Sequence, residues 1–344
     1  LVTANAYLGC AGIVEALDAG ADIVITGRVA DPSLVVGACV HAFGWKLDDW
    51  HRMAGATVAG HLIECGTQVT GGISTDWLAI PDPAHIGFPI VEVDREGTCV
   101  VTKPPGTGGV VNVATVKEQL VYEIGDPGRY VSPDVCVSLL ELELEPCGDD
   151  RVAVRGARGN PRPTTLKVSA TYRDGYRAAS MLTIIGTDAR AKAERCGAIV
   201  LERLGDAGHV YRDRIVECLG GGDGETVLRI AVEAESRSAV EAFSREVMPL
   251  VTAGPPGTTG YAEGRPRVHP VFRYWPCLID AASVAPRVDI VRTSDTSASR
   301  AEPADWPGAG HVVASKPPTP ARGPEGRARH LVSREHARTL GDLA

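Results

Sequence analysis

The sequence is poor in the features that mark several large classes of protein. Aromatic residues make up only 5% of its 344 residues, and 35 lysines and arginines face 43 aspartates and glutamates, which gives a formal net charge of −8. A protein that binds nucleic acid needs a basic surface, so this balance argues against a nucleic-acid partner. No uninterrupted apolar run reaches the roughly 18 residues of a membrane-spanning helix, so no membrane partner is expected.

Motifs that would reveal a cofactor are also missing. The sequence has no Gly-Lys-Ser/Thr phosphate loop and no Gly-x-Gly-x-x-Gly fingerprint, and nothing in it signals NAD, ATP or PLP. Its nine cysteines include no Cys-x-x-Cys pair, which excludes a zinc ribbon or a thioredoxin-like site by spacing. Most of them lie among Val, Leu and Ala, as buried thiols do, and this pattern is typical of a cytoplasmic protein.

What is present begins with an alternation of strands and helices. Residues 1–4 and 21–26 are predicted strands, and residues 6–19 and 31–40 are predicted helices. Such alternation predicts right-handed βαβ units and a parallel sheet. Because Leu1 already lies in this pattern and is not a methionine, we expect the first domain to be incomplete at its N-terminus.

The pattern changes near residue 134, where turn signals separate short strands that predict an antiparallel region. Elements then follow in the order of a ferredoxin-like split βαβ fold: strand 177–185, helix 188–204, strands 213–219 and 226–235, helix 237–251 and strand 268–275. We therefore predict an α/β protein in three parts, which are a parallel-sheet domain (1–133), an α+β domain (134–291) and a disordered Pro/Ala/Arg-rich tail (292–344).

Polar residues follow both strands of the predicted parallel sheet. In doubly wound sheets, ligands bind beyond the carboxyl ends of the strands. Asn5 follows the first strand, and Thr26, Arg28 and Asp31 follow the second, so we predict that these four line one substrate-binding crevice. Arg28 beside a helix N-terminus suits a carboxylate or phosphate. The alternative is that Asp31 only caps the helix and Arg28 only pairs with it.

A second candidate lies at the end of the helix predicted over residues 48–64. His61, Glu64 and Cys65 are within one helical turn, so their side chains can converge. We predict them as catalytic residues, with a general base and a nucleophile among them. A metal site would need a further ligand beside these three, and no metal is predicted. The alternative is that each residue only packs.

Two loops of similar sequence complete the candidate set. Residues 104–109 and 255–260 both read Pro-Pro-Gly-Thr and then a glycine within two positions. Glycines and threonines in such loops present backbone N–H groups to anions, so Gly106, Thr107 and Gly108 are predicted to bind substrate. Plain turns are the alternative.

The sequence resembles the acyclic terpene utilization protein A (AtuA) family over roughly residues 1–275. The resemblance rests on motifs spread through this range: Asn5-Ala-Tyr-Leu-Gly9, Ala21-Asp-Ile-Val-Ile-Thr-Gly-Arg28, Gly60-His-Leu-Ile-Glu-Cys-Gly66, Thr70-Gly-Gly72, Gly87-Phe-Pro89, Lys103-Pro-Pro-Gly-Thr-Gly-Gly109, Gln119-Leu-Val-Tyr-Glu123 and Pro133-Asp-Val135. These motifs include most of the candidate site residues, and the resemblance supplies no agreed catalytic residues to carry over.

The resemblance implies a pathway, the degradation of citronellol and geraniol through acyl-CoA intermediates. We predict an enzyme that acts on an acyclic isoprenoid or branched acyl-CoA substrate by hydratase, lyase or hydrolase-like chemistry. A non-catalytic subunit or assembly factor of the pathway's acyl-CoA carboxylase is the alternative. Its expected partners are the carboxylase subunits or further copies of the chain. Complete family members have an additional N-terminal α/β segment, which this chain is expected to lack.

Overall fold

The computed structural model describes residues 1–222, 224–261 and 264–291, and the predicted tail (292–344) lies outside them. These residues combine α-helices with several antiparallel sheets. They group into two compact units: unit 1 contains residues 1–4 and 170–275, and unit 2 contains residues 5–169 and 276–291. The predicted boundary at 133/134 concerns independently folding domains, which a spatial grouping does not test, so that boundary stays a prediction.

Unit 2 contains four helices and two small antiparallel sheets among its described residues. The helices are α1 (Ala11–Asp18), α2 (Ser33–Phe43), α3 (Trp50–Glu64) and α4 (Val113–Val121). The strands are β2 (Ile90–Val93), β3 (Cys99–Thr102), β4 (Tyr130–Val131), β5 (Cys136–Ser138), β6 (Glu143–Gly148), β7 (Arg151–Arg155) and β8 (Arg158–Asn160). One sheet has the order β2-β3-β7-β6 and the other β4-β5-β8, and α3 contacts strands of both.

Helix α3 is the centre of unit 2 because its side chains are small and mostly apolar. Its ten residues from Met53 to Leu62 are all buried, as expected for a helix that is covered on every side. A side chain at Gly55 would collide with the carbonyl oxygen of Gly97. A side chain at Gly60 would come within 2.7 Å of Pro32, at the start of α2. The two glycines therefore let neighbouring backbone approach α3, and this close packing buries the polar residues in its last turn.

Unit 1 is an antiparallel sheet with helices. Strand β9 (Thr165–Ile185) pairs with β11 (Glu225–Ala234), which pairs with β10 (Asp213–Gly222), while β12 (Thr258–Tyr261) and β13 (His269–Asp280) also pair with β9. Helices α5 (Ala189–Asp206) and α6 (Arg237–Glu246) pack on the sheet, and α7 (Leu250–Ala253) follows. The elements follow the predicted order β-α-β-β-α as far as α6, after which α7 and the unpredicted strand β12 come before β13. The boundaries between the units fall within β9 and within β13, so part of each strand belongs to unit 2.

The predicted parallel sheet is not present in the described residues. Residues 21–26 form no strand, and Ile23 and Ile25 are 81% and 85% exposed. Strand β1 (Thr3–Ala6) pairs with β9 instead, and the parallel contact that remains near the predicted pair is a single bridge between Leu8 and Val29. A β-branched run becomes a strand only where a neighbouring strand accepts its hydrogen bonds, and the described residues supply none for residues 21–26.

Candidate functional site

The last turn of α3 contains a buried pair of ionisable side chains. His61 is only 2% exposed, and its Nδ1 lies 2.8 Å from Glu64 Oε1. A carboxylate on one ring nitrogen fixes the orientation of an imidazole and leaves the other nitrogen for proton transfer. In the described structure, His61 Nε2 and Glu64 Oε2 are buried without a hydrogen-bond partner. Such unpaired buried atoms are costly, so they point to a bound group or to catalysis.

Two further residues complete this cluster, and the sequence reasoning missed both. Gln119 of α4 is fully buried, donates from Nε2 to the backbone oxygen of His61 at 2.8 Å, and leaves its own Oε1 unpaired among the described residues. The ring of Tyr130 lies 5.5 Å from the His61 ring, centroid to centroid. A signal for Gln119 was available, because it shares the buried face of α4 with Val116 and Leu120.

Burial keeps two groups of the cluster protonated. The pKa of Tyr130 is raised well above its ordinary value by burial, and the negative charges of Glu64 and Asp31 add to this. Burial also raises the pKa of Cys65, and Glu64 again contributes. At neutral pH, Tyr130 is therefore a proton donor, and Cys65 is a thiol and a weak nucleophile.

The segment that carries Arg28 and Asp31 lies beside this cluster. Leu8 donates its N–H to the Arg28 oxygen at 3.2 Å, so the segments that follow the two predicted strands do run side by side. Arg28 Nη1 and Asp31 Oδ1 are 3.9 Å apart, which is a long distance for an ion pair, and both side chains are exposed. Asp31 does not cap α2, whose N-cap position is held by Pro32. Since Pro32 packs against Gly60, the segment adjoins the turn that bears His61.

A buried carboxylate, also missed, joins the starts of two helices. Asp134 accepts the Cys10 backbone N–H at 2.8 Å and the Ser33 hydroxyl at 2.5 Å, next to the first residues of α1 and α2. Negative charge is favourable at helix N-termini, and these bonds satisfy the carboxylate. Asp134 thus fixes the segment that ends at Ser33. Asn5 and Thr26 are exposed, and no hydrogen bond involves either side chain in the described structure.

The loop of Gly106, Thr107 and Gly108 is held mostly by its own and neighbouring backbone. Thr107 Oγ1 donates to the Pro104 oxygen at 2.7 Å, and Gly108 donates its N–H to the His85 oxygen at 2.8 Å. The amides of Gly106 and Thr107 donate to no backbone oxygen in the described residues. No hydrogen bond or ion pair in the described structure joins this loop to the predicted catalytic residues, so the two predictions remain separate.

The described residues contain neither a metal-binding group nor a membrane-spanning helix. Nowhere in residues 1–222, 224–261 and 264–291 do three or more His, Cys, Asp or Glu side chains form a group that fits a metal ion. No helix in the same ranges is long and apolar enough to cross a membrane.

A family model described as acyclic terpene utilisation family protein AtuA matches residues 1–290. The chain belongs to the AtuA family. The resemblance noted from its motifs is confirmed, and membership implies a part in acyclic terpene utilisation. Comparison with curated proteins and with solved structures gave no match. Two motifs of this AtuA-family chain meet in unit 2, the one from Gly60 to Gly66 and the one beginning at Gln119, through the hydrogen bond from Gln119 to His61.

Proposed function

We propose that this AtuA-family protein is an acid–base enzyme whose substrate is an acyclic isoprenoid or branched acyl group, carried as its coenzyme A thioester. The observation that supports this most is His61, which is buried, oriented by Glu64 through Nδ1, and unpaired at Nε2 within the described structure. An imidazole oriented in this way can take up and release a proton at its free nitrogen, and general acid–base catalysis of this kind contributes about 10²- to 10⁴-fold to a reaction rate.

The surrounding groups define the roles in the proposal. Glu64 orients the ring and balances the imidazolium that forms when Nε2 takes a proton. Tyr130, held protonated by burial, has its ring 5.5 Å from the His61 ring, centroid to centroid, and is the proton donor in this proposal. Cys65 has no covalent role in this proposal, because its raised pKa disfavours the thiolate. Hydration, elimination and hydrolysis share the need for a proton to move between water and substrate.

An exposed aromatic side chain lies close to the turn that carries His61. The side-chain position at Gly66 lies 3.4 Å from the ring of Phe88, which is exposed. We propose that Phe88 contacts the isoprenoid chain, since exposed apolar side chains beside a site suit an apolar ligand.

In this proposal the polar part of the substrate is bound by the predicted binding residues, which are Asn5, Thr26, Arg28, Asp31, Gly106, Thr107 and Gly108. The nine cysteines are free thiols, which supports a reducing compartment such as the cytoplasm.

The test is turnover of a panel of coenzyme A thioesters of acyclic isoprenoid acids, followed by mass spectrometry. Wild type is expected to change the mass of at least one thioester, by about 18 Da for hydration. His61→Gln is expected to lower kcat by about 100-fold or more, and Glu64→Gln by less, because the ring remains. The matched control is His85→Gln, which removes an exposed histidine that also pairs with a carboxylate three residues away, Asp82.

Equal activity of His61→Gln and wild type would overturn the assignment of His61. No mass change across the panel would overturn the enzyme proposal itself. Circular dichroism of each variant confirms that loss of activity is not loss of fold.

The second candidate function is a non-catalytic subunit or assembly factor of the pathway's acyl-CoA carboxylase. The observation that favours it is the sheet face of unit 1, where Met181, Ile185, Ile215 and Leu219 are exposed. Apolar sheet faces of this kind are typical of subunit interfaces. Co-elution with purified carboxylase subunits, lost in Leu219→Lys, is the expected result under this alternative.

A further inference from the structure

Two cationic side chains lie against the ring of one tyrosine in unit 2. Arg28 Cζ and Lys167 Nζ are each 5.2 Å from the centroid of the Tyr7 ring. The two positive groups are therefore no more than about 10 Å apart, because both distances are measured to the same point. Like charges repel at this separation, so an anion that reaches both groups is stabilised by both.

Backbone hydrogen bonds set this arrangement. Tyr7 donates its N–H to the Lys167 oxygen at 2.8 Å, and the next residue, Leu8, donates to the Arg28 oxygen at 3.2 Å. Ala30 donates in return to the Leu8 oxygen at 2.8 Å. Tyr7 is thus held between the two cation-bearing segments, and the placement does not depend on the long side chains alone.

The positive charge at this point is poorly balanced. The carboxylate paired with Arg28 is Asp31, at the long distance of 3.9 Å, and both side chains are exposed. Among the described residues, no carboxylate lies within 4.0 Å of Lys167 Nζ. The chain as a whole is acidic, with a net charge of −8. Two neighbouring cations with one distant counter-ion therefore form a locally positive surface on it.

We propose that Arg28 and Lys167, placed on either flank of the Tyr7 ring position, bind the diphosphate of the ligand. A diphosphate has at least two negative charges on neighbouring groups, and guanidinium and ammonium groups are the common phosphate-binding side chains. The proposal rests on the proposed function for the source of the diphosphate, which is coenzyme A. A prenyl diphosphate offers the same chemistry, and the experiment separates the two. The phosphate site adjoins the His61 cluster through Asp31, Pro32 and Gly60.

The experiment is isothermal titration calorimetry on the full chain with inorganic pyrophosphate, coenzyme A and geranyl diphosphate, and with acetate as a single-charge probe. Pyrophosphate and coenzyme A are expected to bind wild type, and more tightly than acetate. Arg28→Gln and Lys167→Gln are each expected to weaken both by about tenfold and to reduce the dependence on salt. Lys167→Arg is expected to restore binding.

Arg95→Gln is the matched control, since Arg95 also lies over one aromatic ring, that of Phe43, but with no second cation over that ring among the described residues. Thermal unfolding of each variant checks the fold. Pyrophosphate affinity that stays within twofold of wild type in the variant that combines Arg28→Gln with Lys167→Gln overturns the proposal, as does acetate binding as tightly as pyrophosphate. Tighter binding of geranyl diphosphate than of coenzyme A overturns coenzyme A as the source.

The outcome is separable from that of the turnover test. If no thioester is turned over and pyrophosphate binding is still lost in the variants, the enzyme proposal fails and the diphosphate site stands. If turnover occurs and the variants bind pyrophosphate as wild type does, the site fails and the enzyme proposal stands.

Discussion

Two clusters of charged side chains, one in each unit, differ in how far water reaches them. In unit 1, Arg212 and Arg273 both pair with Asp174, at 2.7 and 3.0 Å, and all three have exposed area. In unit 2, His61 is buried and Glu64 is 14% exposed, and each keeps one buried polar atom without a partner in the described structure. Water thus solvates the cluster around Asp174, whereas the pair in unit 2 is largely shielded from it.

The difference indicates where function resides. An exposed ion pair contributes little to stability, and its loss is compensated by water. A buried polar atom without a partner costs about 1–3 kcal/mol, so a protein retains it only where another property benefits. On this reasoning the charge network of unit 1 is part of the scaffold, and the pair in unit 2 belongs to a site. Three variants, one of which combines two substitutions, test this comparison.

The largest effect is expected for Asp134→Ala in unit 2. The change leaves the buried Cys10 N–H and Ser33 hydroxyl without an acceptor, so the free energy of unfolding should fall by about 3 kcal/mol. Urea titration followed by tryptophan fluorescence measures it. The control is Asp94→Ala, which removes a carboxylate that accepts two exposed backbone N–H groups. Equal losses in the two variants would contradict the role given to burial.

An intermediate effect, of opposite sign, is expected when the buried pair is replaced as a whole. His61→Leu with Glu64→Met removes the unpaired atoms and keeps similar volumes, so the free energy of unfolding should rise by about 1–2 kcal/mol while turnover disappears. The single change Glu64→Met should lower stability instead, because it leaves His61 Nδ1 without its partner. A double variant less stable than wild type would show that the pair holds the fold.

The smallest effect is expected for Asp174→Asn in unit 1. The two arginines lower the pKa of Asp174, so its contribution to stability is present above the ordinary aspartate pKa and is lost as pH falls through the lowered value. At pH 7 the variant should unfold about 2 °C or less below wild type in a thermal scan. The difference should shrink as pH falls below the ordinary aspartate pKa and vanish below the lowered pKa, where the carboxyl is protonated in both states. A difference that persists there would contradict the electrostatic origin.

What the sequence predicted well is local. The helix predicted over 188–204 is α5, Ala189–Asp206, and the strand predicted over 226–235 is β11, Glu225–Ala234. In both elements the pattern that predicts the structure lies within the segment itself. Alternate residues of β11 are buried, and α5 buries the residues along one side of the helix. The family and the coarse class of mixed helices and sheets were predicted too, from motifs and element order. The reaction remains a proposal.

What was missed depends on residues far away in the chain. Asp134 bonds to Cys10 across 124 positions, and Gln119 bonds to His61 across 58. No local pattern contains such a partner, so neither residue was a candidate from sequence. The failure of residues 21–26 to form a strand has the same origin, since strand formation requires a neighbour that a single segment does not specify. The pairing of His61 with Glu64 was accessible because helical spacing brings them together.

The lack of a side chain at two positions of α3 also affects which mutations the protein tolerates. Gly55 and Gly60 set how far the helix stands from Gly97 and Pro32, and the helix carries His61 at its end. A methyl group added at either glycine would move the helix as a body and so displace the imidazole without touching it. In a library of random variants, inactivating changes should therefore be found at Gly60, next to His61, and also at Gly55, between one and two helical turns away. Activity measurements alone would wrongly assign Gly55 to the site.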